Sequence, residues 1–284
     1  MNPSPLRYPG GKYKLYNYIA ELVRVNDCTT YIEPFCGGAA VAIELLLNGV
    51  VNKIIINDYD YTIYCFWYSI LYETEAFIEL IQNVDVSLQE WHVQKYIRNS
   101  IDDYGMLEIG FSTFFLNRTN RSGIIDKAGP IGGFNQTGNY TIDCRFNKER
   151  LITEIRRIAE QREHIKLYNM EALNFIEEVV LHTKKSFVFF DPPYYGRGPE
   201  LYKNFYTHGD HLNLSKAILT KLRNRKWVVT YDNVNAIKSM YRKVRSIEIS
   251  LQYTLQEKRK SSEVMFFSRT VVRPQNEQAL VKVL

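Results

Sequence analysis

The run Phe187 Val188 Phe189 Phe190, cut short by Asp191 Pro192 Pro193 Tyr194, constrains this chain more than any other stretch. Four consecutive large apolar residues read as a buried central strand of a sheet. Proline has no N–H to give a ladder, so the two prolines stop the strand abruptly and hold a rigid turn whose carbonyls are free to accept hydrogen bonds. The strand therefore delivers a carboxylate, a carbonyl and an aromatic ring to its carboxyl edge, where open α/β sheets bind ligands. Asp191 and the Pro192 carbonyl together can grip an exocyclic amine, and Tyr194 can stack on the ring that carries it.

Other segments supply neighbours for that strand. Residues 14–25 have apolar positions at helical spacing. Thr30 to Glu33 form a short strand that breaks into Pro34 Phe35 Cys36 Gly37 Gly38, followed by an apolar helix from Ala39 to Leu47 and a second strand from Lys53 to Asp58, a βαβ unit. Helical patterns over 61–83, 148–163, 171–181 and 211–224 alternate with strand patterns at 165–168, 187–190 and 227–231. The runs 244–255 and 263–268, joined by a polar turn at 257–262, are expected to pair as an antiparallel hairpin. Between about 87 and 147 the rhythm is lost: seven glycines from Gly105 to Gly138 are scattered among polar residues. That stretch reads as an irregular module inserted into an α/β domain built from 1–86 and 148–284.

Composition narrows the class. With 284 residues, 45% hydrophobic and 24% charged, the chain can bury a substantial core and is not a disordered polymer. The net charge of +5 is a mild bias, but its distribution is uneven. Residues 111–150 hold six Lys and Arg against three Asp and Glu, and residues 242–260 hold six against two. A single basic cluster is usually a solvated face; two clusters flanking one candidate site favour a polyanionic partner. Cys28, Cys36, Cys65 and Cys144 are too widely spaced for a zinc site or a disulfide framework, so no metal is expected and the thiols fit a reducing cytoplasm. No signal-peptide pattern or membrane-length apolar run is visible, so no membrane partner is expected.

Two further constellations stand at strand ends. Glu33 Pro34 Phe35 Cys36 Gly37 Gly38 places glycines where a backbone approaches a ligand closely and opens a helix N-terminus. It is not the Gly-x-Gly-x-x-Gly of a dinucleotide site, and by itself it is equally a plain tight βα turn. Asp58 ends the next strand, a position from which a carboxylate accepts both hydroxyls of a ribose, or simply caps the next helix. The two signals one strand apart favour a nucleoside-containing cofactor.

The order Tyr8 Pro9 Gly10 Gly11 Lys12, Glu33 Pro34 Phe35 Cys36 Gly37, Asn57 Asp58, Phe115 Leu116 Asn117 Arg118 and Asp191 Pro192 Pro193 Tyr194 resembles the Dam-type (D12 class) DNA adenine-N6 methyltransferases, from residue 5 to about 269. The resemblance implies a Rossmann-like, mostly parallel sheet that binds S-adenosyl-L-methionine, with a C-terminal antiparallel hairpin and an inserted DNA-recognition module over 87–147. It implies cofactor contacts at Tyr8, Lys12, Glu33, Pro34, Phe35 and Gly37, with Asp58 on the ribose and Asp191 facing both cofactor and target; Glu171 matches the adenine-contact position only loosely. Asp191, Pro192 and Tyr194 are the implied catalytic group. Arg7, Arg118, Asn120 and Arg121 are the implied contacts to double-stranded DNA, together with Lys258, Arg259 and Lys260 on the hairpin. Asn117 and Arg118 have the equal alternative of bracing the insert against the core. Gly129 to Gln136 depart from GATC-specific members, so the target sequence stays open. The family also suggests a cognate restriction endonuclease acting on the same site.

The chemistry agrees with the residues. An amine conjugated to its ring is a poor nucleophile, and two acceptors at Asp191 and the Pro192 carbonyl localise its lone pair as the nitrogen becomes tetrahedral. Attack on a methylsulfonium then needs in-line positioning rather than a metal or strong base. The tetrapeptide alone serves adenine N6 or cytosine N4, in DNA or RNA. A binding protein that lost turnover would not need the carboxylate.

Overall fold

Apolar residues alternate between the two faces of one sheet, and that alternation organises the molecule. The computed structural model describes residues 2–7, 10–196, 206–254 and 258–275, with the backbone alone for 250–254 and 258–261. Its strands are β1 (Thr30–Glu33), β2 (Lys53–Asn57), β3 (Ile165–Tyr168), β4 (Ser186–Phe190), β5 (Lys226–Asp232), β6 (Arg245–Thr254) and β7 (Lys258–Phe267). They form a seven-stranded sheet in the order β3-β2-β1-β4-β5-β7-β6. The first five strands are parallel, with Ile32 beside both Ile55 and Val188, and β7 runs antiparallel between β5 and β6.

Tyr31, Ile54, Ile56, Phe187, Phe189, Val228 and Met265 face one layer. That layer contains α1 (Tyr16–Val25), α2 (Ala40–Leu47), α3 (Tyr61–Tyr72), α4 (Thr74–Asn83), α5 (Leu88–Asn99), α6 (Met106–Thr119) and α7 (Lys148–Ala159). Ile32, Ile55, Val188, Phe190, Val229 and Phe266 face the other, against α8 (Ala172–Phe175, continuing into a π turn at Ile176–Val180), α9 (His208–Lys221) and α10 (Asn235–Met240). Strands covered on both faces read as continuous apolar runs, as Phe187 to Phe190 does. The α/β class, the mostly parallel sheet and the C-terminal antiparallel hairpin all follow the sequence expectation.

Three local expectations are corrected. The stretch 87–147 is not irregular throughout, because α5 and α6 occupy its first half. Its glycines mislead there: Gly105 caps α6, and Gly110 lies where α6 crosses α3, so that a Cβ would come within 2.6 Å of the Cys65 carbonyl oxygen. A glycine at a helix crossing permits close approach and does not break the helix. Phe111 and Phe114 of α6 meet Phe66 and Phe77 in one aromatic cluster with centroids 5.5–6.4 Å apart. Asn120 to Asn147 is irregular, as expected.

Helix α9 begins at His208 and not at His211, because Thr207 and Asp210 form a capping box: Asp210 N donates to Thr207 Oγ1 at 3.3 Å and Thr207 N to Asp210 Oδ2 at 2.8 Å. The expected polar turn at 257–262 is mostly strand. β5 ends opposite β7 at the pair Asp232 and Glu263, whereas β6 and β7 continue pairing to Thr254 and Lys258. Polar residues are tolerated there because this two-stranded ribbon runs beyond the carboxyl edge of β5, past the buried sheet. Among the described residues, no helix is long and apolar enough to cross a membrane.

Candidate active site at the carboxyl edge

The chain order reverses between β1 and β4, and the loops that follow these two strands line one cleft with the segment after β2. The loop after β1 turns through left-handed conformations at Gly37 (φ 45°) and Ala39 (φ 44°) and enters α2. Its shape is fixed from outside: Trp67 Nε1 donates to the Gly37 carbonyl at 2.9 Å, Cys36 N donates to the Asn57 carbonyl at 2.9 Å, and Asn57 Nδ2 donates to the Pro34 carbonyl at 2.9 Å. Asn57 also exchanges hydrogen bonds with the backbone of Met170, tying the ends of β1, β2 and β3 together.

Asp58 Oδ2 accepts from Gly37 N at 2.8 Å and Oδ1 from Asp60 N at 3.0 Å. Burial, followed by the neighbouring Asp60 charge, pushes its carboxyl up to about 7 against the pull of those two amides. Glu33 is 5% exposed, and burial with the added charge of Asp191 pushes it up to about 8. Glu171 caps α8, accepting at Oε2 from Leu173 N at 2.7 Å. Phe35 meets Tyr206 edge-on at 5.8 Å across the cleft.

At the end of β4, Asp191 is held from two sides. Thr230 Oγ1 on β5 donates to Oδ1 at 2.7 Å, and Lys12 Nζ pairs with Oδ2 at 3.0 Å. Each carboxylate oxygen keeps a second lone pair for another donor. Lys12, 6% exposed, also donates to the Gly10 carbonyl at 2.6 Å, lies 3.9 Å from Glu263 Oε2 and stands 4.9 Å from the centre of the Tyr194 ring. Pro192 is buried, and Pro193 and Tyr194 are half-buried. Lys12, Glu33, Phe35, Gly37, Asp58 and Asp191 therefore share one cleft, with Pro34 and Tyr194 alongside; Tyr8 lies outside the described residues.

The residues singled out for DNA divide differently. Asn117 is fully buried, accepts from Arg7 N at 2.7 Å and donates to the Gly123 carbonyl at 2.9 Å. Arg118 is 4% exposed and gives its guanidinium to the carbonyls of Arg145 and Pro5. Asn120 accepts from Trp91 Nε1 at 2.7 Å and donates to the carbonyls of Ile124 and Ile125. Arg118 and Asn120 thus brace the segment and present no side chain to a duplex in this conformation. Arg121 is exposed and Arg7 half-buried. Lys258, Arg259 and Lys260 lie on the ribbon beyond β5, and their side chains are outside the described residues.

Sequence reasoning missed four side chains of the site. Thr230 and Glu263 reach it only through sheet pairing. Arg98, 2% exposed, joins Asp126 through two contacts at 2.8 and 3.0 Å and Asp60 at 3.5 Å, linking the cleft floor to the segment after α6. Tyr206 stands just before the capping box that starts α9. No short-range signal marks Thr230, Glu263 or Arg98.

The chain is 28% identical over 211 residues to the modification methylase StsI of Streptococcus sanguinis, covering 67% of this chain and 28% of that protein. It is 25% identical over 204 residues to the type II methyltransferase M.MjaIII of Methanocaldococcus jannaschii, covering 66% of this chain and 68% of that protein. The chain thus spans only about a quarter of the first relative's length. An rRNA methyltransferase, aviRa from Streptomyces viridochromogenes, superposes over 93% of this chain and 88% of its own with a TM-score of 0.39 and 11% identity. The family description that matches residues 8–255 is the D12 class N6 adenine-specific DNA methyltransferase. That match covers most of the sequence, and the chain belongs to the D12 class of N6 adenine-specific DNA methyltransferases.

Proposed function

We propose that this protein transfers a methyl group from S-adenosyl-L-methionine to N6 of an adenine flipped out of double-stranded DNA. The observation that carries the reading is Asp191, fixed by Thr230 and Lys12 in a cleft that Asp58 also lines. The donor set fits the cofactor: an acceptor carboxylate for ribose hydroxyls at Asp58 and aromatic walls at Phe35 and Tyr206. When bound, the cofactor supplies an electrophilic methyl group on sulfonium.

The chain's residues do the rest. Asp191 accepts one N–H of the target amine, and the Pro192 carbonyl accepts the other, so the lone pair points out of the ring plane. Tyr194 stacks on the flipped base and returns part of the few kcal/mol that unstacking costs. Arg121 and Arg7, with the ribbon carrying Lys258, Arg259 and Lys260, approach the phosphates. Residues 87–147 serve as the target-recognition module, built on α5 and α6.

The test is to incubate the protein with methyl-labelled S-adenosyl-L-methionine and duplex DNA free of modified bases, and to analyse the nucleosides by mass spectrometry. Labelled N6-methyl-2′-deoxyadenosine is expected. Labelled N4-methyl-2′-deoxycytidine, or no transfer, would overturn the reading.

A further inference from the structure

Strand β5 runs past its parallel neighbour: Val229 stands opposite Phe190, the last residue of β4, and Thr230, Tyr231 and Asp232 continue beside the turn that follows. Pro192 and Pro193 have no N–H to offer, so ladder pairing with β5 cannot extend along that turn. Side chains of β5 take its place. Thr230 Oγ1 donates to Asp191 Oδ1 at 2.7 Å, and the Tyr231 ring lies 6.4 Å from the Tyr194 ring. Beyond Tyr194, Asp232 accepts from the next two amides, Oδ1 taking Tyr195 N at 3.0 Å and Oδ2 taking Gly196 N at 2.8 Å. Glycine suits this approach, because a Cβ on Gly196 would come within 3.0 Å of Asp232 Oδ2.

One strand thus holds the turn at both ends. Asp232 is itself rooted in the sheet, paired with Glu263 on β7, and Tyr231 is fully buried with its hydroxyl 2.9 Å from His211 Nδ1. The Tyr195 ring has a separate tether, its hydroxyl 3.0 Å from His208 Nδ1 on α9. Asp191 and Pro193 line the cleft and Asp232 does not, so Asp232 acts from behind the turn. We propose that Asp232 is a positioning residue for methyl transfer, which grips the two amides after Tyr194 and so fixes the Pro192 carbonyl and the Tyr194 ring where they meet the target base. This rests on that turn being the amine-binding site of a methyltransferase. A turn ordered before the substrate arrives does not add its ordering to the barrier of the chemical step.

The experiment measures single-turnover methyl transfer to long duplex DNA free of modified bases, with DNA and S-adenosylmethionine saturating, beside calorimetric binding of S-adenosylhomocysteine. Asp232→Asn keeps one acceptor oxygen and turns a donor toward the other amide, whereas Asp232→Ala releases both. Freeing the backbone of one residue lowers the population of a single pose about tenfold, so transfer should slow by about tenfold in Asp232→Asn and about a hundredfold in Asp232→Ala, with S-adenosylhomocysteine affinity within about twofold in both. An unchanged rate in Asp232→Ala would overturn the proposal, as would a loss of S-adenosylhomocysteine affinity in step with the loss of rate, the mark of a general brace of the fold. If Asp232→Ala does not fold, Asp232→Asn carries the test; if neither folds, the proposal is overturned, because Asp232 then serves the fold and not the step. No transfer by the unsubstituted chain would defeat the methyltransferase reading itself.

Discussion

Replacing Glu33 by Gln should make the protein more resistant to alkali. Glu33 closes β1, is 5% exposed and has its carboxyl pushed from 4.5 up to about 8 by burial and then by the charge of Asp191. Between these two values the folded chain holds a proton that the unfolded chain has released, so stability falls as pH rises through that window. Each pH unit costs about 1.4 kcal/mol, and the interval from 4.5 to about 8 amounts to roughly 5 kcal/mol as an upper figure. Glutamine keeps the shape and removes the titration. Urea unfolding of both proteins at pH 5, 6, 7, 8 and 9 should show the stability of Glu33→Gln gaining on the unsubstituted chain by about 1.4 kcal/mol per unit up to pH 8, then levelling. Asp58, pushed up to about 7, titrates in the same range but is common to both proteins and cancels in the difference. A difference that stays constant from pH 5 to 8, or changes in the opposite direction, would refute the reasoning.

Other consequences are as direct. Asp191→Ala should abolish methyl transfer and lower the urea midpoint by leaving the buried Lys12 without its 3.0 Å partner, while the chain still folds and S-adenosylhomocysteine binding is no more than moderately reduced. Thr230→Val removes the 2.7 Å donor to Asp191 Oδ1 at almost constant volume; single-turnover transfer should slow by about tenfold, the worth of one charge-assisted hydrogen bond, with cofactor binding unaltered. Arg121→Ala should weaken duplex binding and lower the slope of log affinity against log salt by about one, leaving calorimetric cofactor binding intact; equal loss of both would indicate misfolding.

How much was legible followed the range of the interactions. The inner strands β2, β4 and β5 announce themselves as short apolar runs ended by a polar residue, because burial on both faces demands it, whereas the edge strand β3 exposes Lys166. The grouping of Glu33, Asp58 and Asp191 followed from strand ends sharing one edge. Helix α6 is masked in the sequence by Gly105, which caps it, and by Gly110, whose role as a crossing contact depends on α3, some 40 residues earlier in the chain. Arg118 and Asn120 have side chains that suit bases and carbonyls equally, and only their burial decides. Glu263 opens the expected strand 263–268, and nothing in the sequence marks the burial that the pairing of β7 with β5 gives it.

The bracing by Asn117, Arg118 and Asn120 has an evolutionary consequence. Their bonds go almost entirely to main-chain groups at Pro5, Arg7, Gly123, Ile124, Ile125 and Arg145. A carbonyl is present whatever side chain a position carries. Five of these acceptor positions can therefore change residue type without loosening the clamp; Gly123 is the exception, because a Cβ there would come within 2.1 Å of the Arg7 carbonyl oxygen. The exposed residues between 121 and 145 can then change while the three buried side chains keep the segment in the same pose beside the same cleft.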